Sequence, residues 1–123
     1  MIRALADFLE EQGYSGICID VMPDAEKQLD TIYLGKWSHT VSEINDGTGV
    51  QFVQIQVRRT TYDEAYSLCD ELFKLLDSGL DEAVIHLNPE HWCIARPRRG
   101  PIIMERASNY TTFYYELALW GEN

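Results

Sequence analysis

From Gln51 to Arg59 the chain alternates without a break: Gln51, Val53, Ile55, Val57 and Arg59 fall on one side, and Phe52, Gln54, Gln56 and Arg58 on the other. Side chains of an extended strand point to opposite faces with a period of two, so this run is a strand with one face in a core and the other wet or in an interface. Immediately afterwards the period changes. Thr61-Tyr62-Asp63-Glu64 has the spacing of a capping box, Thr61 covering an orphan amide and Glu64 reaching back, with the early acids favoured by the helix dipole. Ala65, Leu68, Cys69, Leu72, Phe73 and Leu76 then form a stripe at helical spacing, and Gly79 supplies a stop. A two-sided strand feeding straight into an amphipathic helix requires a layered fold, sheet against helix.

The remaining segments extend that frame. Ile2, Leu5, Phe8 and Leu9 recur at helical spacing with Arg3, Asp7, Glu10 and Glu11 opposite, which predicts an amphipathic helix over Ile2 to Gln12, ended by Gly13. Gly16 to Val21 reads as a short strand stopped by Pro23 and a polar stretch, and Thr31 to Leu34 as a second. Gly35 to Gly49 carries Ser38, His39, Thr40, Ser42, Asn45, Asp46, Gly47 and Thr48, and is expected to be an exposed, flexible loop over 36–49 of the kind a hairpin arm makes. Strands follow at Ala83–Leu87 and His91–Arg96, then a basic loop Pro97-Arg98-Arg99-Gly100-Pro101, then Ile102–Arg106. A long strand from Tyr110 to Trp120 closes the chain, with Phe113, Tyr115, Leu117 and Leu119 on one face and Thr112, Tyr114, Glu116, Ala118 and Trp120 on the other. No repeat or linker interrupts 1–123, so the expectation is one α+β domain, a mainly antiparallel sheet with two helices packed on one face.

Charge bears on partners. Twenty acidic side chains against ten Lys and Arg give a net charge of −10, which argues against a general nucleic-acid surface, because phosphate binding depends on clustered Lys and Arg that displace counterions. The acidity belongs to the first two thirds. In the last third Arg96, Arg98, Arg99 and Arg106 balance Glu90, Glu105, Glu116 and Glu122, and a surface segregated in this way suits subunit pairing, basic edge against acidic face. Cys18, Cys69 and Cys93 are odd in number and set among apolar neighbours, as for reduced thiols. The N-terminus does not read as a secretory signal and no run approaches the roughly 20 apolar residues of a membrane span, so a soluble intracellular domain without a membrane partner is expected.

Chemistry is sparse by comparison. His91 and Cys93 stand two apart, on one face if the segment is a strand, but neither a Cys-x-x-Cys nor a His-x-x-x-His accompanies them, and Cys93 between Trp92 and Ile94 reads as a small core hydrophobe. Asp63, Glu64, Asp70, Glu71 and Asp77 fall where a helix faces water. Gly47-Thr48-Gly49 lacks the Gly-Lys-Ser/Thr of a phosphate-binding loop and leads into a strand. No catalytic, cofactor or metal residue is therefore assigned. Trp, Tyr and Arg are the side chains most enriched at binding hot spots, and the candidate interface set is Trp37, His39, Arg58, Arg59, Arg96, Arg98, Arg99 and Tyr114. Tyr110 and Trp120 carry similar potential, although a helix over that face would bury Trp120.

The run Gly49-Val50-Gln51-Phe52-Val53-Gln54-Ile55-Gln56-Val57-Arg58 leading into Thr61-Tyr62-Asp63-Glu64-Ala65 resembles small neck proteins of long-tailed bacteriophages, the minor capsid, tail-completion or tail-terminator group. Pro101-Ile102-Ile103-Met104-Glu105-Arg106 and Tyr110-Thr111-Thr112-Phe113-Tyr114-Tyr115-Glu116-Leu117 look like that group's last β-hairpin. The resemblance implies a structural, non-enzymatic virion protein, assembled in the host cytoplasm. It implies a ring, commonly a hexamer, that caps the tail tube and joins it to the head. Its partners would be further copies of itself, the major tail tube protein and a head-closure or connector protein. DNA would enter only as a strand passing through the channel, and an acidic lining would let it pass without sticking. Two other classes compete: a small acidic adaptor or inhibitor that masks a basic partner, and a small enzyme using His86, His91 or Cys93.

Overall fold

A computed structural model describes residues 2–41 and 48–122, with the backbone alone described at 36–41, 48–49 and 122. Two helices, α1 (Ile2–Glu11) and α2 (Tyr62–Leu75), accompany six strands: β1 (Ile17–Ile19), β2 (Thr31–Val41), β3 (Thr48–Arg59), β4 (Ile85–His86), β5 (Trp92–Arg106) and β6 (Thr111–Glu122). The strands form one sheet in the order β1-β2-β3-β6-β5-β4. Among the described residues only the β1–β2 pair is parallel. The fold is α+β with a mostly antiparallel sheet, as the periodicities predict.

The alternation in β3 does what its period demands. Val53, Ile55 and Val57 lie opposite Leu117, Tyr115 and Phe113 of β6, and all six are buried in one continuous core with Ile32 and Leu34 of β2 and Cys93 and Ala95 of β5. Both helices contribute to that core, α1 through Ala4, Leu5, Ala6 and Leu9 and α2 through Ala65, Cys69 and Leu72, so both lie on the same face of the sheet. Burying Leu5 and Leu9 contributes about 1.5–3 kcal/mol each relative to exposure, more than a ten-residue helix gains from propensity. Aromatic edges finish the packing: the Tyr62 and Tyr66 rings meet Phe113 at 5.0 and 5.4 Å, and Phe73 meets Tyr115 at 5.1 Å.

The helix ends follow local chemistry. Gly13 has φ +98°, and its N–H donates to the Glu10 carbonyl while that of Tyr14 donates to Leu9, the paired bonds of a Schellman cap that needs a residue tolerant of positive φ. Thr61 caps α2, its Oγ1 accepting from the Glu64 N–H at 3.2 Å. Gly79 lies further out than expected. The cap residue is Leu76, and Gly79 turns the following loop with φ +75°.

Two expectations about loops are corrected. The segment 36–49, expected as a flexible loop of the kind a hairpin arm makes, is a hairpin arm at both described ends but strand rather than loop, since β2 runs on to Val41 and β3 starts at Thr48, paired from Lys36↔Val53 to Val41↔Gly49; residues 42–47 lie outside those described. The Pro97–Pro101 basic loop is the middle of β5. Pairing with β6 continues through Arg98↔Glu116 and resumes at Ile102↔Tyr114, with a bulge between. Proline is tolerated here because β4 pairs only with Trp92 and Cys93, leaving this stretch on the edge of the sheet, where a missing N–H costs nothing.

Candidate interaction face

With both helices on one side, the second side of the sheet is covered by neither. Register sets its side chains in rows across β3, β6 and β5: Val50–Trp120–Ile94, Phe52–Ala118–Arg96, Gln54–Glu116–Arg98 and Gln56–Tyr114–Ile102. The ring of Tyr33, opposite Gln56, lies over Gly35 at the β2 side. Aromatic, glutamine and arginine side chains thus occupy a surface that also exposes Trp120 and Ile102.

Glu116 organises the centre. It is 7% exposed, and its two oxygens meet Arg98 Nε at 3.8 Å and Arg99 Nη1 at 3.7 Å. The Arg98 guanidinium also stacks 5.2 Å over Phe52, a diagonal cation–π contact. One carboxylate therefore serves two guanidiniums, and Arg99 remains largely exposed. Arg96 Nη2 pairs with Glu82 Oε1 at 2.6 Å at the solvent-facing rim. Gly100 makes this geometry possible, since a Cβ there would stand 2.8 Å from the Tyr114 carbonyl oxygen and 3.0 Å from Tyr115 Cα; only a glycine lets the bulge lie against β6.

Of the eight residues expected at an interface, Arg96, Arg98, Arg99 and Tyr114 are brought together here. Arg58 and Arg59 are not, and their expected role is corrected. Arg58 is 5% exposed. Its guanidinium donates to the carbonyls of Pro23 (2.8 Å), Leu29 (3.2 Å) and Gln28 and lies 3.3 Å from Thr31 Oγ1, with the Tyr110 ring 5.7 Å beneath it. It pins the segment between β1 and β2 to the sheet. Arg59 donates to its own chain at the Arg58 and Thr31 carbonyls; burial lowers its pKa from the ordinary value, opposed by the carboxylates of Asp30 and Glu64. Trp37 lies at the bulge between Lys36 and Ser38 of β2 and His39 pairs with Gln51, while their side chains lie outside those described. The expectation that a helix buries Trp120 is also corrected, because it stands on the helix-free face, 37% exposed.

The residues left aside for chemistry are placed apart. Cys93 points into the core, where burial pushes its thiol up to about 11, and Cys69, buried beside Asp70, is pushed up to about 12. Such thiols are protonated and poor nucleophiles at neutral pH. His91 closes a turn with its Nδ1 3.0 Å from Asn88 Oδ1, and His86 is exposed on β4. Among the described residues no three His, Cys, Asp or Glu side chains gather as metal ligands, and no helix is long and apolar enough to cross a membrane. Tyr110, grouped with interface aromatics on sequence, is used internally, donating to Glu105 Oε1 at 2.6 Å.

Phe52, Glu116 and Ile94 are the parts of this face that sequence reasoning did not select. Their strand parity was visible. Their convergence depends on the β3–β6–β5 register, which no local pattern encodes. No family model and no curated protein matches the chain.

Proposed function

We propose that this protein is a structural subunit of a phage neck or tail end, forming a ring that caps the tail tube and joins it to the head. The observation that carries the reading is the uncovered sheet face. Phe52, Tyr114, Trp120, Arg96 and Arg98 lie there at strand spacing, with Arg99 beside them in the bulge, a composition suited to protein contacts rather than to solvent. The resemblance of the β3–α2 segment and the last hairpin to tail-completion proteins supplies the kind of partner. Such a subunit acts by geometry alone and requires no catalytic group.

The test is capping. The purified protein is mixed with self-assembling tail tube protein of the same phage, and the ends are imaged by negative stain. The expected result is a ring of density at one tube end together with arrest of tube growth. Tubes that elongate unchanged and bare, with the protein instead recovered as a monomer on one basic partner, would favour the adaptor or inhibitor reading.

A further inference from the structure

The two broad surfaces of this domain are opposite in charge, and that restricts how copies can meet. On the helix side, α1 exposes Asp7, Glu10 and Glu11 against Arg3, a net −2, and α2 presents Asp63, Glu64, Asp70 and Glu71 against Lys74, a net −3. Lys74 is already paired with Asp70 at 2.9 Å. On the sheet side Arg96, Arg98 and Arg99 have Glu82 and Glu116 as their carboxylate partners. A two-fold contact through the sheet face would bring a net +1 surface, three arginines against Glu82 and Glu116, onto its own copy, and one through the helices would bring a net −5 surface onto its own. Like charges placed face to face cost several kcal/mol.

The β5 edge beside these arginines offers no easier route. At Ala95 it is closed by Ser78, whose N–H donates to the Ala95 carbonyl while its Oγ accepts from the Ala95 N–H, both at 2.8 Å. Beyond it come Pro97, which has no N–H, and the Arg98–Ile102 bulge. These are the devices that stop a strand from recruiting another. Along this stretch of β5 the face, rather than the edge, is the surface available for docking.

We infer that the open sheet face of one copy, centred on Arg96, Arg98, Arg99 and Phe52, docks on the acidic α1–α2 surface of a second copy, head to tail. This rests on the ring-forming reading above and adds to it which surfaces meet. A head-to-tail contact uses a different patch on each partner, so it propagates, and it closes into a ring when each step turns by a whole fraction of a circle.

Complementary charge reversal tests it. One variant carries Arg96→Glu and Arg99→Glu, the other Asp7→Lys, Glu11→Lys and Asp63→Lys; retained circular dichroism and cooperative melting confirm that both fold. By light scattering and native mass spectrometry the wild type is expected to assemble at low salt, and each variant alone to bind itself roughly a hundredfold more weakly. Mixed in equal amounts, the two variants are expected to assemble again, alternating in even-numbered species of equal composition. Variants that assemble like the wild type, or a folded mixture that stays monomeric, would overturn the surface assignment and leave the ring intact. A wild type that stays monomeric up to about 1 mM at low salt would overturn the docking itself, while the neck reading stands or falls separately on tube capping.

Discussion

Arg58 holds a positive charge below the surface, and among the described residues three backbone carbonyls and a hydroxyl, rather than a carboxylate, take its N–H groups. The carbonyls belong to Pro23, Gln28 and Leu29, in a segment without regular structure that must cross the sheet end between β1 and β2. A rigid five-donor fork satisfies several acceptors from one side chain, which a lysine cannot reproduce. Arg58→Ala is expected to cost about 3 kcal/mol, since hydrogen bonds to a charged group and the desolvation of the abandoned carbonyls are lost together. Arg58→Lys should recover less than half of this. A urea unfolding midpoint measures both, and proteolysis between Val21 and Asp30 should accelerate in each. A loss below about 1 kcal/mol would mean that the segment is held by something else. The same residue shows why sequence alone misplaced it: an arginine ending an alternating strand reads as exposed, and its burial depends on a non-periodic segment folding over it.

Among elements, α2 and β3 were legible because their periods are clean and change within three residues of each other. β5 was not. Pro97, Gly100 and Pro101 are turn chemistry, yet the strand continues through them because its outer side is an edge. β2 beyond Leu34 was hidden by its polar run, Lys36 to Thr40, in which no apolar alternation marks a buried face. The interaction face was legible by parity in each strand and illegible as an assembly, since Phe52, Glu116 and Arg98 meet only through pairings distant in sequence. Gly100→Ala must push the bulge off Tyr114 and Tyr115, and overpacking of this kind costs about 1–3 kcal/mol. Because Tyr115 is in the core and Arg99 lies in the bulge itself, the variant should lose stability by thermal melting and also weaken self-association. Arg99→Ala, which removes a largely exposed guanidinium and leaves Arg98 on the Glu116 carboxylate, should weaken association while lowering the melt far less than Gly100→Ala; equal melting losses in both would show that the bulge does not shape the face.

The whole molecule places a negative helix layer on one side of a sheet and an arginine-bearing face on the other, and salt is expected to act in opposite directions on folding and on head-to-tail contact where the local attraction outweighs the repulsion between two copies of −10 each. Within one copy the net charge of −10 repels itself in the compact state, and screening relieves that repulsion. Raising sodium chloride from about 0.02 M to about 0.5 M shortens the screening length several-fold, and a stabilisation of about 1 kcal/mol would raise the melting temperature by roughly 4 °C. Between copies, the same screening weakens attraction between the acidic layer and Arg96, Arg98 and Arg99, so the self-dissociation constant should rise over the same range. The two responses are measured together by scanning calorimetry and sedimentation velocity on one salt series, the melt being followed at a concentration where the protein is monomeric. An assembly that strengthens with salt would overturn the charge assignment, because screening would then relieve the repulsion between two copies of −10 each more than it weakens the local contact. Opposite signs, stability up and association down, are what a head-to-tail electrostatic contact requires.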